Sequence, residues 1–185
     1  MGWQVYESQN SGQAAQVMID ICAREQIAMD QVVLHSDNGG AMKGATMLAT
    51  LQQLGVEASF SRPAVSNDNP YSMSLFKTCK YRPNYPNAAF ADLMAGRVWV
   101  GQFTYCYNYE HRHSAIGFVT LAQRHDGCDA ALLNARKVVY RTAQARNLNR
   151  WRKDIRNWNR VTIVHLNPNQ QQGEPTAADN IKKAA

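Results

Sequence analysis

The chain has 185 residues, of which 45% are apolar and 18% charged, enough to build one domain with a large core. Its formal net charge of +6 fits a phosphate-rich partner, although mildly basic proteins are common and the charge alone is weak evidence. No apolar run approaches the roughly 20 residues that span a bilayer, and no signal peptide is visible at the N-terminus. The four cysteines (Cys22, Cys79, Cys106 and Cys128) lie far apart. This spacing is typical of reduced, mostly buried thiols in a cytosolic protein.

Short strands and helices are predicted to alternate in the first half. Residues 2–6 alternate as a strand does, and residues 11–27 form an amphipathic helix with Ser11 as candidate N-cap. The pattern then predicts a strand at 32–34, a helix at 42–54 closed by Gly55, and a strand at 56–60. After the polar loop 61–69, Pro70 at a first helical position predicts a helix to about Tyr81.

The second half is predicted to be mostly helical and basic. Helices are expected at 88–107, either deeply buried or forming an interface, and at 130–146. The segment 149–159 is rich in Arg and Trp, which suits nucleic-acid backbones and exposed bases, but Trp151 and Trp158 equally fit the packing of a small C-terminal lobe. A short strand is predicted at 161–166 and a disordered polar tail at 169–185.

A carboxylate stands at the end of a predicted strand and before a glycine-rich turn. The strand 32–34 ends in His35-Ser36-Asp37-Asn38-Gly39-Gly40, and many α/β sites are built in this way. In the loop that follows the next strand, Arg, Asn and Ser side chains could hydrogen-bond phosphates or bases, although the same residue types are ordinary turn formers. The sequence therefore predicts a polar site where these segments meet.

Three segments in this region carry a resemblance. HSDNG, SFSRPAVSNDNPYS and LFKTCKYRP, in that order, resemble the catalytic core of bacterial insertion-sequence transposases of the retroviral-integrase superfamily. The resemblance extends from Gly2 to about Pro168 and implies a ribonuclease-H-like fold. It also implies three carboxylates, Asp, Asp and Glu, that hold two divalent metals, Mg²⁺ or Mn²⁺. Asp37 matches the second Asp and would be a catalytic residue and metal ligand.

The third carboxylate of that family is replaced here. Residues 38–72 give the family's spacing of 35 after Asp37, and the next residue is Met73 where the family has Glu. Phosphodiester cleavage by in-line displacement uses two hard cations roughly 4 Å apart, and a soft, neutral thioether does not replace a carboxylate that bridges them. Asp68 would lie about 140° from Met73 on a helix, so it is not expected to substitute.

The first carboxylate is expected on a strand before Gly2, so the resemblance predicts a core that is truncated at its N-terminus and catalytically inactive. Intact relatives cleave DNA and transfer strands with metal ions; here productive metal binding is not expected. The fold class expected is α/β, a ribonuclease-H-like integrase core incomplete at the N-terminus, with a small helical and basic C-terminal extension. The missing strands would expose sheet edges and favour partner dependence.

The resemblance also implies a set of DNA contacts. Lys77 and Lys80 follow Met73 by four and seven residues, hence on one helical face, although a solvated basic face is the default reading of such lysines. His111 and His113 suggest a metal site or a general base but lack metal spacing, so DNA contact or helix-end structure is favoured. The predicted DNA-binding residues are Asn38, Lys43, Arg62, Asn67, Asn69, Lys77, Lys80 and Arg112.

The predicted organisation is a partial catalytic core at 1–120, a helical basic extension at 121–168 and a tail at 169–185. The expected partners are double-stranded DNA, as transposon ends and target, and a homo-oligomer or an active transposase in co-assembly. A bacterial cytoplasmic, nucleoid-associated location is expected, with no membrane. One alternative is a non-catalytic DNA-binding or assembly partner of an active transposase. A weaker one is a free-standing metal-dependent nuclease that uses other carboxylates.

Overall fold

The computed structural model describes residues 2–164, apart from the side chain of Ser66. An α/β unit comes first along the chain, and a mainly helical part follows it. The helices are α1 (Ser11–Glu25), α2 (Gly40–Lys43), α3 (Ala45–Leu54), α4 (Pro70–Lys80), α5 (Leu93–Tyr105), α6 (Leu121–His125) and α7 (Asp129–Arg146), and the strands are β1 (Val33–Ser36) and β2 (Glu57–Phe60).

Within residues 2–164 the sheet consists of two parallel strands. β1 pairs with β2 from Val33↔Glu57 to Ser36↔Phe60, and α2 and α3 form the crossover that a parallel pair requires. Because parallel strands end at the same edge of a sheet, the turn after β1 and the loop after β2 begin side by side. This edge positions the candidate site.

The first hydrophobic cluster lies between α1 and α3. Ala15, Met18 and Cys22 of α1 follow helical spacing and pack with Met47 and Leu51 of α3 and with Val56. Met47 is fully buried. The N-cap of α1 is Asn10, whose side chain accepts a hydrogen bond from the Gln13 amide; the prediction of Ser11 was wrong by one residue. Asn10 has the extended backbone that an N-cap needs, whereas Ser11 is already helical.

Two glycines determine the bounds of α3. The helix predicted at 42–54 is interrupted at Gly44, which has an extended backbone, and a Cβ there would lie 2.5 Å from the Cβ of Ser11. This close approach lets the start of α1 pack against the α2–α3 junction. Gly55 ends α3 as predicted, with φ of 65°. The amides of Gly55 and Val56 donate to the carbonyls of Gln52 and Leu51, which completes a Schellman motif.

The second hydrophobic cluster lies in the C-terminal half and comprises Val119, Leu133 and Trp158 with partly buried neighbours. Beside it, the fully buried carboxylate of Asp129 pairs with both Arg124 and Arg160. The cluster therefore joins residues on both sides of the domain boundary predicted at 120, which stays a prediction. The cluster also buries Trp158. This agrees with the alternative in which the tryptophans of the segment 149–159 pack a C-terminal lobe.

Several predicted elements are not formed. Residues 2–6 do not form a strand, since neither β1 nor β2 pairs with them, and the Val5 carbonyl accepts from Arg97 Nε (3.3 Å). The helix predicted at 88–107 begins only at Leu93, where the Asp92 side chain caps it, and after α5 it widens into the π-helical turn Cys106–Glu110. Residues 161–164 are not a strand, and 165–166 and the predicted tail lie outside the described residues.

The cysteines differ from the prediction of mostly buried thiols. All four are free, but Cys22 alone among them is buried, Cys79 and Cys106 are half-buried, and Cys128 is exposed within the described structure. The others lie on helix faces or turns that the two clusters leave uncovered. Among the helices of residues 2–164, none has the length and hydropathy that crossing a membrane requires.

Candidate nucleic-acid interface

The turn after β1 exposes the predicted catalytic carboxylate to solvent. Asp37 is exposed, and its Oδ1 accepts a hydrogen bond of 3.0 Å from the Gly39 amide, as in an Asx turn. The neighbouring Asn38 donates from Nδ2 to the Ser61 carbonyl at 2.9 Å. The amide of Asn38, a predicted DNA contact, thus ties the turn after β1 to the loop after β2.

His35 connects this turn to the start of α4, a role that the sequence did not reveal. Its Nε2 lies 3.0 Å from the Asp68 carbonyl oxygen, and its Nδ1 lies 2.9 Å from the Ser59 hydroxyl. A carbonyl can only accept, so Nε2 donates to it. The imidazole therefore joins both strands to the loop that precedes α4.

The loop between β2 and α4 is held by an ion pair. Arg62 donates from Nε (2.8 Å) and from its terminal nitrogen (2.7 Å) to the two carboxylate oxygens of Asp68, and its backbone amide donates to the same carboxylate. Asp68 is buried, whereas the Arg62 side chain is 48% exposed. Arg62 and Asp68 thus shape the loop, and the bonds from Arg62 occupy the one carboxylate close in sequence to Met73.

Helix α4 presents its side chains outward. In the described structure, none of the 11 residues of α4 is buried, and Met73 is 57% exposed. Lys77 and Lys80 are exposed on its last turn. The Asp68 carbonyl bonds His35. The next residue, Asn69, directly precedes α4, and its carbonyl accepts a hydrogen bond of 3.4 Å from the Met73 amide. The first turn of α4 therefore begins beside the turn that carries Asp37.

The other predicted DNA-binding residues are spread around this edge and beyond it. Lys43, at the end of α2, places its Nζ 5.0 Å from the centre of the Phe60 ring. Asn67 is exposed, and Asn69 directly precedes α4. Arg112 is exposed at the far end of the π-helical turn, in a different element of the fold. The structure thus brings together the residues at 37–38, 61–62 and 67–69 around one edge.

The carboxylates present do not fit a two-metal site. Within residues 2–164, no group of three His, Cys, Asp or Glu side chains could hold a metal ion. Asp37 offers one carboxylate, Asp68 is bound by Arg62, and Met73 supplies a thioether. Hard divalent cations require several oxygen ligands, and the described residues do not bring several together here.

The histidines after α5 pack as part of the helix end. The rings of Trp99, Phe103, Tyr107 and His111 follow one another at four-residue spacing, with centroids 5.8, 5.6 and 5.7 Å apart. The His113 ring packs edge-on against Tyr107 and His111. Burial lowers the pKa of His113, although a bond to the Tyr107 carbonyl opposes the shift. In the described structure, the His111 and His113 rings therefore pack at the helix end, which was one of the two interpretations favoured from the sequence.

An open cavity of about 520 Å³ separates the last turn of α4 from the π-helical turn. Its wall includes Lys77, from the predicted set, together with Arg82 and His111. Arg82 was missed as a candidate, because its role depends on the chain folding back after α4. The KYRP segment that contains it was the signal available in the sequence.

One family of known proteins matches the middle of the chain. Residues 54–120, from the end of α3 to the residue before α6, match the family described as integrase core domain. This stretch contains the loop 61–69 and α4 but not the turn with Asp37. A search of curated proteins finds no match.

Among solved structures, one match is a chain of the cryoEM structure of the simian T-cell lymphotropic virus intasome in complex with PP2A regulatory subunit B56 gamma. The identity is 17% and the TM-score 0.39, over 64% of this chain and 41% of that chain. This protein thus spans less than half the length of that relative. The family match agrees in part with the resemblance carried by the motifs: residues 54–120 form an integrase-core-like segment within a small α/β fold.

Proposed function

We propose that this chain is a DNA-binding protein of the integrase and transposase type that does not catalyse strand cleavage as it stands. The observation that carries the proposal is the integrase-core match over residues 54–120, which includes α4 and its outward-facing Lys77 and Lys80. Lysines on an exposed helix bind phosphates as point charges, and the net charge of +6 favours the same partner. We propose that this partner is double-stranded DNA. We also propose that the chain derives from a bacterial insertion sequence and is located in the cytoplasm.

The inactivity rests on Met73. Integrase core domains generally use divalent metals, which would stabilise the attacking and leaving oxygens of the phosphodiester. Asp37 would be a ligand, but a thioether at position 73 leaves the second ion without its bridging carboxylate. We therefore assign the surviving function to binding.

DNA binding is tested by titrating labelled duplex with the purified chain at several salt concentrations. We expect the logarithm of the affinity to fall linearly with the logarithm of the salt concentration, because bound phosphates release counterions. Lys77→Gln and Lys80→Gln should each reduce that slope by about 1, since each removes one phosphate contact. Arg24→Gln is the matched control, because Arg24 pairs with Glu25 and is remote in sequence from α4. Absent or salt-insensitive binding would contradict the proposal.

Catalysis is tested with donor-end duplex in the presence of Mg²⁺ or Mn²⁺. The chain should release no cleaved strand, and binding should persist. Cleavage by the unaltered chain would overturn the assignment of inactivity. Comparison with Met73→Glu separates the nuclease alternative, because a nuclease that uses other carboxylates would be indifferent to the change.

A second candidate function is co-assembly with an active transposase or with a second copy. It is favoured by large apolar side chains that α4 and α5 leave exposed, such as Phe76 (61%) and Met94 (63%). Size-exclusion chromatography with light scattering, alone and with DNA, tests it. A monomer under both conditions that also leaves an active relative's strand transfer unchanged would count against co-assembly.

A further inference from the structure

The cavity between α4 and the π-helical turn concentrates positive charge. Lys77 and Arg82 contribute to its wall, and its lining contains no carboxylate among the described residues. Neither Lys77 nor Arg82 forms an ion pair with any acid within residues 2–164. Like charges held together without a counter-charge repel one another, so the cavity favours an anion.

The two sides of this cavity are built on packed rings. The Arg82 guanidinium lies 5.6 Å from the centre of the Phe103 ring, which is buried and stacked on Trp99. His111 stacks on Tyr107 with an angle of 5° between the ring planes. Because the contact with Phe103 restricts the Arg82 side chain before any ligand arrives, less side-chain entropy is lost on binding.

An aromatic side chain stands at the rim. Tyr81, the residue after α4, lines the cavity and is 80% exposed, and no other ring of the described residues packs against it. An open ring beside cations is how proteins bind single-stranded nucleic acid, with bases stacked on the ring and phosphates held by the charges. Bases inside a duplex already have both faces covered.

We propose that this cavity holds one unpaired nucleotide of a nucleic-acid strand, with its phosphate on Lys77 and Arg82 and its base on Tyr81. The volume of about 520 Å³ lies within the range of about 300–1,000 Å³ of small-ligand sites. The proposal deepens the proposed function, on which it rests, by adding a preference for single-stranded ends to general DNA binding.

The test compares a blunt duplex with the same duplex carrying a short single-stranded overhang, by fluorescence anisotropy with the full chain. Stacking is worth about 1–3 kcal/mol per base, so the overhang should bind at least about fivefold more tightly. Tyr81→Ala should remove this difference. Tyr71→Ala is the matched control, because Tyr71 is 54% exposed on α4 but does not line the cavity.

The phosphate contact is tested separately. Arg82→Gln should weaken binding of the overhang and lower its salt slope by about 1, and Arg82→Lys should restore the slope. Arg24→Gln, which removes one charge elsewhere, should leave the preference for the overhang unchanged. Thermal unfolding of each variant separates lost contacts from lost folding, since Arg82 also packs on Phe103.

The outcomes distinguish this proposal from the function beneath it. Equal binding of blunt and overhanging duplex, or equal effects of Tyr81→Ala and Tyr71→Ala, would overturn the cavity proposal while duplex binding stood. Tight binding of the overhang without salt-dependent binding of the blunt duplex would contradict the proposed duplex-binding function, while the cavity proposal stood. Competition by a deoxymononucleotide at the same concentration as the single strand would identify a small-nucleotide site and overturn the nucleic-acid source.

Discussion

The two hydrophobic clusters are stabilised by different interactions. The first cluster packs apolar side chains of α1 and α3, and the fully buried Met47 is at its centre. The second cluster has fewer buried apolar residues and lies beside Asp129, a buried carboxylate held by Arg124 and Arg160. The comparison indicates that burial of apolar surface secures the α/β unit, whereas the C-terminal half depends on a charge network as well.

The largest effect is expected at Asp129. Asp129→Ala removes the charge-assisted bonds from Arg124 and Arg160, each worth about 1.5–3 kcal/mol, which should lower the free energy of unfolding by about 3–5 kcal/mol in urea denaturation. Asp154→Ala is the control, because its pair with Arg141 is exposed on both sides and should cost less than about 1 kcal/mol. Similar losses for the two variants would show that the buried network contributes nothing special.

Met47→Ala probes the first cluster in the same way. Removing a fully buried thioether side chain leaves a cavity and should cost about 2–4 kcal/mol. Met73→Ala, at a position 57% exposed, should stay within about 0.5 kcal/mol. Urea unfolding measures both. If the loss at Met47 varied strongly with salt concentration, the contrast between an apolar and a charged region would fail.

Acidification should lower the stability of the C-terminal half through two titratable groups, His113 and Asp129. Burial lowers the pKa of His113, and bonds from Arg124 and Arg160 lower the pKa of Asp129 against the opposing effect of desolvation. When the folded-state pKa lies below the unfolded value, stability is fully present above the unfolded pKa and is lost as pH falls through the folded one. The unfolded values are about 6.5 for His and about 3.9 for Asp.

The His113 contribution should therefore decline as pH falls below about 6.5, and the Asp129 contribution below about 3.9. Urea unfolding at a series of pH values measures both declines. His113→Gln should remove the first decline. Met47→Ala should lie below the wild type by a constant amount across the series, since the thioether does not titrate. A constant gap for His113→Gln as well would contradict the assignment.

The smallest effects are expected at the helix caps, one in each region. Asn10 caps α1, and Thr120 forms a capping box with Gln123 at α6. Replacing either by Ala should cost about 1 kcal/mol, because a helix amide loses its acceptor. Asn10→Ser should recover most of that loss in thermal unfolding. Failure of Ser to rescue would assign the loss to packing and not to the cap.

Features set by neighbours in sequence could be predicted. Gly55 ends α3 because its φ of 65° suits glycine, and Pro70 opens α4 because its missing amide is not needed there. The failures involve distant partners. Residues 2–6 have the alternation of a strand, but their neighbour is Arg97 of α5, and nothing local indicates it.

The candidate site divides in the same manner. The placement of Lys77 and Lys80 on one face of α4 follows from helical spacing, and both are exposed. The imidazole bridge from His35 to Asp68 spans 33 residues, and Arg82 meets Phe103 only after the chain reverses between α4 and α5. Such contacts depend on tertiary geometry, for which a single sequence carries no short-range signal.

The π-helical turn Cys106–Glu110 has a consequence for insertions and deletions. Four residues of an α-helix overshoot one turn by about 40°, so rings at four-residue spacing drift around the axis. The wider turn, closed by the bond from the His111 amide to the Cys106 carbonyl (2.8 Å), corrects this drift and keeps Tyr107 and His111 stacked. Deleting one residue there would preserve a helix yet rotate His111 by about 100°, away from the wall of the cavity.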